Sequence, residues 1–310
     1  MGGYCGFDPE KDLGDLSGKV ILVTGGTAGL GKSAILTLAA HKPSHIYFTG
    51  RSASSATSLI EELASLPSPI QATFLECDLT SLASIRAAAN KFKHDRLDVF
   101  IANAGIMAVD AGLTKDGIEM QFGVNHLGNA ALVMHLLPTM LKTAALPNAD
   151  VRYVALTSLG YRGHPKGGVD FATIRTTQEH LAYGTWGRYG QSKLANIVFA
   201  RELHRRHPSI TSVVVHPGVI ATGLVTELSF WKRMLVYVTN PMGMMTVEQG
   251  GYNTAWAAAG KDVKERVEGE KDEIALYLPV GKADKGDATC FDEGVGRELW
   301  EWTVKEVEKV

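Results

Sequence analysis

The chain predicts an α/β fold: a doubly wound, mostly parallel sheet with helices on both faces. Three observations predict it. Short runs of β-branched and other apolar residues alternate with stretches of helical period from Val20 to the C-terminus. The first run, Val20 to Val23, passes straight into a glycine turn and then into Ala34, Ile35, Leu36 and Leu38 at helical spacing. Finally, 310 residues with 45% hydrophobic content can bury a sizeable core. A formal net charge of −2 suggests neither disorder nor a basic nucleic-acid surface. The pattern predicts a single domain over residues 18–310 with about seven strands, preceded by a polar, glycine-rich arm over residues 1–17.

Lys19 to Ser33 reads K-V-I-L-V-T-G-G-T-A-G-L-G-K-S. Strand, glycine turn and helix in that order aim the free N–H groups of a helix N-terminus at the turn, where the macrodipole favours an anion such as a pyrophosphate. Two motifs fit the same letters. Gly26 to Ser33 satisfy the G-x-x-x-x-G-K-S of nucleotide hydrolases, with Lys32 for the phosphates and Ser33 for magnesium. Thr24 to Gly31 spell T-G-x-x-x-G-x-G, which resembles the dinucleotide loop of the short-chain dehydrogenase/reductase family.

The next strand, Ile46 to Thr49, ends in Gly50-Arg51-Ser52. In a dinucleotide fold an acid near this point grips the ribose 2′-hydroxyl of NAD, and an arginine accommodates the 2′-phosphate of NADP. The acid is missing and Arg51 is present, so NADP is the expected cofactor; a solvated loop arginine is the alternative. A helix over Ala53 to Leu66 leads to a strand, Ile70 to Cys77, and then Asp78-Leu79-Thr80. Asp78 or Thr80 also suits the N-cap of a following helix, Ser81 to Phe92.

The fourth strand, Val99 to Ala102, ends in Asn103-Ala104-Gly105, small residues that let backbone pass close to a ligand. A hydrolase would want an apolar strand ending in a magnesium-binding Asp. Asp98 precedes its strand and Asp78 follows the mixed run F-L-E-C, so the hydrolase motif is disfavoured. Asn125 falls inside a long helical region from Ile118 to Leu141, an unfavourable place for an amide that competes for backbone bonds. A kink at Gly128 is one explanation.

The fifth strand, Val151 to Leu156, closes with Thr157-Ser158, and a loop-rich interval leads to Y-G-Q-S-K-L-A-N. Tyr189 and Lys193 lie four residues apart, on one helix face. A cation so placed favours a phenolate. Moving a tyrosine pKa from about 10 towards 7 takes roughly 4 kcal/mol of differential stabilisation.

Together, T-G-x-x-x-G-x-G, N-A-G, Asn125, Ser158 and Y-x-x-x-K in this order resemble the short-chain dehydrogenase/reductase family from about Lys19 to Gly218. The Y-G-Q-S-K-L-A-N-I-V-F-A-R-E-L run and the long Ser158-to-Tyr189 interval look most like its retinol-dehydrogenase-like branch. The resemblance implies a Rossmann-type domain and an NADP-dependent oxidoreductase that interconverts a carbonyl and a secondary alcohol. It places Gly25, Thr27, Gly29, Leu30, Gly31 and Arg51 on the cofactor's phosphates and ribose, Asp78 and Leu79 at its adenine, and Asn103, Ala104 and Gly105 along it. Ser158, Tyr189, Lys193 and Asn125 become the catalytic group, with Asn125 holding a proton-relay water. Tyr189 and Lys193 also bind cofactor.

After the sixth strand, Ser212 to His216, the resemblance sets Pro217, Gly218, Val219 and Thr222 around the nicotinamide. Residues 219–245, rich in Leu, Phe, Trp, Met and Tyr, become a substrate lid that suggests an apolar or aromatic small molecule; a packed helix or an oligomer contact is the alternative. A helix from Thr246, a solvated charged stretch to Asp272, a strand near Ala275 and a terminal helix from Glu293 complete the chain. Homodimers or homotetramers through Gly117–Leu141 and Tyr189–His207 are usual for the family. Alternatives on the same scaffold are a lyase, isomerase or epimerase without net cofactor turnover, and a cofactor-binding protein without catalysis.

Cys5, Cys77 and Cys290 lack metal or disulfide spacing, so no metal and a reducing compartment are expected. No run approaches membrane-spanning length and no signal core or N-terminal anchor stands out. A cytoplasmic protein is expected, and retinoid specificity is not carried over from the anchored members of the branch.

Overall fold

The computed structural model describes residues 4–218, 220, 245–270 and 272–310. Its strands are β1 (Val20–Val23), β2 (His45–Gly50), β3 (Ala72–Glu76), β4 (Val99–Ala102), β5 (Val151–Leu156), β6 (Ile210–Val215), β7 (Leu276–Leu278) and β8 (Lys282–Asp284). They form one sheet ordered β3-β2-β1-β4-β5-β6-β7-β8. Pairing is parallel up to β7, and β8 returns antiparallel to it. The described sheet therefore has one strand more than the sequence suggests. Lys-Ala-Asp in β8 carries no apolar alternation, and only the hairpin with β7 makes it a strand.

The central strands β1 and β4 are continuously apolar because both faces are covered. In β1, Val20 and Leu22 enter one core while Ile21 and Val23 enter the other. In β4, Phe100 and Ala102 side with the first, Val99 and Ile101 with the second. Helices α2 (Gly29–Ala39), α3 (Ala53–Ala64) and α8 (Val247–Ala259) supply the second core. Helices α4 (Leu82–Ala89), α6 (Asn129–Ala144), α7 (Thr185–Arg206) and α10 (Glu293–Val307) supply the first. Chain order reverses between β1 and β4, which opens a crevice at the carboxyl ends of these strands.

Several local features differ from the sequence reading. Ser81, rather than Asp78 or Thr80, caps α4, accepting from Ser84 N–H. The charged stretch before Asp272 contains a helix, α9 (Val263–Glu270), that buries Val263 and Val267 one turn apart. The long helix expected over Ile118 to Leu141 is three pieces: α5 (Met120–Phe122), a π-helical segment Gly123–Gly128, and α6. The N-terminal arm, read from the sequence as packed on the surface, contributes to the core as well: α1 (Pro9–Asp12) follows an Asp8 cap, Phe7, Leu13 and Leu16 are buried, and Gly14 N–H donates to Ala259 C=O at 2.8 Å.

Helix α7 is buried on all sides from Gly187 to Ala200. Its outer face meets α10, where Trp300 stacks on Phe199 with ring centroids 5.2 Å apart. Trp302 meets Phe122 edge-on, and His126 shares a 3.1 Å hydrogen bond with Thr303. Part of the two helical stretches that the sequence offers for self-association is thus covered by the chain's own last helix. Among the described residues no helix is long and apolar enough to cross a membrane.

Candidate active site

The glycine turn after β1 is built by sterics. Gly25 sits at φ +65°, a left-handed conformation that side chains resist. A Cβ on Gly31 would stand 2.6 Å from the Asn103 amide nitrogen, so only glycine lets α2 start against the β4 end. Ala28, the N-cap of α2, makes no side-chain cap bond, and no acid occupies the first turn. The helix therefore presents unsatisfied N–H donors and positive dipole to the crevice. Lys32 instead pairs with Glu62 of α3 at 2.7 Å, and the Ser33 hydroxyl donates to the Glu248 carbonyl of α8. Both point away from the turn, which removes the nucleotide-hydrolase alternative on geometry.

The crevice forms a cleft of about 410 Å³. Gly25, Thr27, Gly29, Leu30 and Gly31 line one side, Asn103, Ala104 and Gly105 the floor, and Arg51, Asp78 and Leu79 one end. Arg51 is exposed at the tip of β2, with no ion-pair partner among the described residues. Asp78 is built into its own loop, where its carboxylate accepts from the Thr80 N–H and hydroxyl and pairs with Lys115 at 2.9 Å. Partial burial opposes ionisation, but Lys115 and Thr80 hold this carboxyl at about 2.

Thr24 and Asn129 join the turn to the floor. The buried Thr24 hydroxyl accepts from Asn103 and Ala104 N–H, both at 2.9 Å, and donates to the Asn129 amide oxygen at 2.6 Å. The Asn103 side chain donates back to Thr24 C=O at 2.7 Å. The Asn129 amide nitrogen donates to Ala104, Val124 and Asn125 carbonyls, which supplies partners where the π-helical segment departs from the α ladder. Neither residue stands out as functional in the sequence, although Asn129 repeats the argument that singles out Asn125: an amide inside a helix needs a partner.

Gly105 closes the floor against the chemical end. A Cβ there would stand 3.0 Å from the Asn125 amide oxygen and 3.3 Å from Lys193 Nζ. Asn125 is fully buried. Its oxygen accepts from Ile106 N–H at 2.7 Å, and its nitrogen donates to Ile106 C=O and Ser192 Oγ, both at 2.9 Å. Its side chain is thus engaged by protein groups on both amide atoms.

Lys193 Nζ lies 5.7 Å from the Tyr189 ring centroid and donates to Leu156 C=O at 3.3 Å, while Thr157 Oγ1 donates to the Lys193 carbonyl. Ser158, at the start of a 3₁₀ turn, accepts from Gly160 N–H. Burial pushes the Tyr189 phenol up to about 12 against the opposing pull of a hydrogen bond with Ser158. Burial also pulls the Lys193 ammonium down to about 8. In the free site, Tyr189 therefore rests as a phenol while Lys193 is still charged at pH 7. Ser158, Tyr189, Lys193 and Asn125 are brought together beside the cleft. Pro217 and Gly218 follow β6, with Met245 packed on Gly218, but do not line it. Val219 and residues 221–244 of the expected lid, Thr222 among them, lie outside the described residues, while the buried Ile220 bridges to Met245. No group of three or more metal-ligating side chains occurs among the described residues.

Thr24→Val keeps the shape of the side chain but leaves the Ala104 N–H and the Asn129 oxygen without their partner, while Asn103 N–H keeps the Ile101 carbonyl at 3.0 Å. Each buried orphan costs about 1–3 kcal/mol, so urea denaturation is expected to show a loss of at least that size. A change under about 0.5 kcal/mol, the range of unremarkable surface substitutions, would show that the hydroxyl is dispensable.

The family model for short chain dehydrogenase matches residues 19–145. The chain is 32% identical to the short-chain dehydrogenase/reductase drtF of Aspergillus calidoustus over 311 residues, covering 96% of each. It is 33% identical to mouse (Mus musculus) retinol dehydrogenase 14, covering 94% of this chain and 86% of that one. Among solved structures, a blue fluorescent protein from a metagenomic library, in complex with NADPH, superposes with a TM-score of 0.62 at 26% identity, covering 89% of this chain and 100% of that one. On these matches the chain belongs to the short-chain dehydrogenase/reductase family, within its retinol-dehydrogenase-like branch.

Proposed function

We propose that this oxidoreductase uses NADP(H) to interconvert a carbonyl and a secondary alcohol on a small apolar or aromatic molecule. The observation that carries the proposal is the grouping of Ser158, Tyr189 and Lys193 at the end of a cleft whose other parts suit a dinucleotide. The uncapped start of α2 offers donors for a pyrophosphate. Arg51, exposed and without an ion-pair partner among the described residues, suits a 2′-phosphate, and the NADPH complex of a structural relative supports the same choice. Ile106, Met120 and Val124 line the cleft, and Trp186 meets Tyr189 edge-on at 6.4 Å, which favours an apolar or aromatic partner.

When bound, the nicotinamide supplies or accepts the hydride. The chain's own residues hold the oxygen and move the proton. Ser158 hydrogen-bonds the substrate oxygen. Tyr189, a phenol in the free site, donates its proton to that oxygen in reduction and recovers it in oxidation. Lys193 stays charged below about 8, which favours the phenolate left by donation. Gly105 leaves room for Lys193 and Asn125 to approach the cleft floor.

Tyr189→Phe is expected to bind NADPH within about twofold of the wild type while losing at least about 100-fold in kcat with an aromatic dicarbonyl such as isatin, the range of general acid catalysis. Near-wild-type turnover would remove Tyr189 as the acid. The sign of the pH dependence follows from Lys193: protonated below about 8, it is lost as an ammonium above that value, so kcat/KM for reduction should fall as pH rises through about 8. A flat profile to pH 10, near the ordinary lysine range, would contradict the role.

A further inference from the structure

A fully buried ion pair sits immediately before Tyr189. Glu119 precedes α5 and Arg188 is the fourth residue of α7, with their side chains 0% and 5% exposed and the charged atoms 3.3 Å apart, a charge contact without hydrogen-bond geometry. The other Glu119 oxygen accepts from Phe122 N–H at 2.7 Å, so one carboxylate caps α5 and meets α7. Buried ion pairs are weak sources of stability, because desolvation of both charges offsets their attraction and apolar replacements often serve as well. A pair at this place invites a geometric explanation.

Two further polar contacts run beside it between the same two segments. Gln121 donates to the Thr185 carbonyl at 2.9 Å and to its hydroxyl at 3.2 Å, while accepting from Ala108 N–H. Thr185 Oγ1 in turn donates to Val109 C=O. Lower on α7, Asn125 donates to Ser192 Oγ, and Ser192 donates to the Tyr189 carbonyl at 2.8 Å. These three rungs (Glu119–Arg188, Gln121–Thr185 and Asn125–Ser192) bracket Tyr189 along one edge of α7. They tie it to the α5 and π-helical segment that also carries Asn125.

We infer that Glu119 and Arg188, with Gln121 and Thr185, are positioning residues: a polar clamp that fixes the first turns of the catalytic helix so that Tyr189 meets the substrate oxygen. The inference rests on the proposed role of Tyr189. The clamp touches neither cofactor nor substrate and acts through Tyr189. An ångström of misplacement at an acid/base group costs up to about 100-fold in rate, whereas the cofactor cradle, built on β1 and β4, should not register the change.

The test is the double variant Glu119→Gln/Arg188→Met, which removes both charges together, keeps an acceptor for Phe122 N–H and retains an apolar stem. NADPH fluorescence titration counts the binding sites, and isatin reduction gives kcat per site. The clamp predicts NADPH affinity within about twofold of wild type, an unchanged KM for isatin and a kcat per site about 10- to 100-fold lower. A merely structural pair would lower the number of competent sites and leave kcat per site unchanged, which would overturn the inference. Arg188→Lys, which keeps the charge, should recover part of the loss. If the double variant does not fold, Thr185→Val, a half-buried change on the neighbouring rung, is decided by the same kcat criterion. If the wild type turns over no carbonyl at all, the catalytic proposal has failed. The clamp is then read from amide hydrogen exchange of residues 185–192: faster exchange in the folded variant supports it, and unchanged protection overturns it.

Discussion

The structure depends on one hydroxyl. Thr24 ends β1, yet its Oγ1 fixes the backbone of Asn103 and Ala104 at the end of β4 and, through Asn129, the start of α6. Three segments far apart in the chain therefore meet around a single buried oxygen with two acceptor positions and one proton to give, all used. The glycine turn holds its approach to β4 because this junction holds both. In a low-dielectric interior an orphaned member would be costly, so the network specifies one arrangement of the cleft.

The chemical end follows the same economy of partners in a different form. Tyr189 and Lys193 are both buried, and burial disfavours the charge on each, which keeps the phenol protonated and brings the ammonium down to about 8. A reducing site needs a protonated acid next to a cation that will welcome the phenolate after donation. The π-helical segment places Asn125 against Ile106 and Ser192, and Ser192 returns to the Tyr189 carbonyl. The result is a continuous path of fixed groups from the floor of the cleft to α7.

Much of this was legible in the sequence because it rests on local pattern. A four-residue apolar run before a glycine turn has few other uses, and β1, α2 and β4 fall where periodicity and turn residues put them. The residues assigned to the cofactor up to Gly105 all line one cleft because each sits at a strand end of the same sheet edge. What periodicity missed depends on tertiary contact. β8 has no pattern of its own, α9 hides two buried valines in a charged stretch, and the break at Gly123–Gly128 is set by partners from elsewhere in the chain. Glu119, Arg188 and Thr24 look ordinary in sequence, and their importance is visible only once their partners stand beside them. The coverage of α7 by α10 was likewise out of reach, since nothing in Glu293 to Val307 names the surface that its tryptophans will meet.

The most direct test of the account is a fluorescence titration of the protein with NADPH and NADH, repeated on Arg51→Ala. The account predicts that the wild type binds NADPH at least about tenfold more tightly than NADH, a difference of about 1.4 kcal/mol, and that the variant loses most of this preference while keeping its NADH affinity. Equal or tighter NADH binding by the wild type would contradict the role of Arg51. Binding of neither cofactor would contradict the oxidoreductase proposal itself.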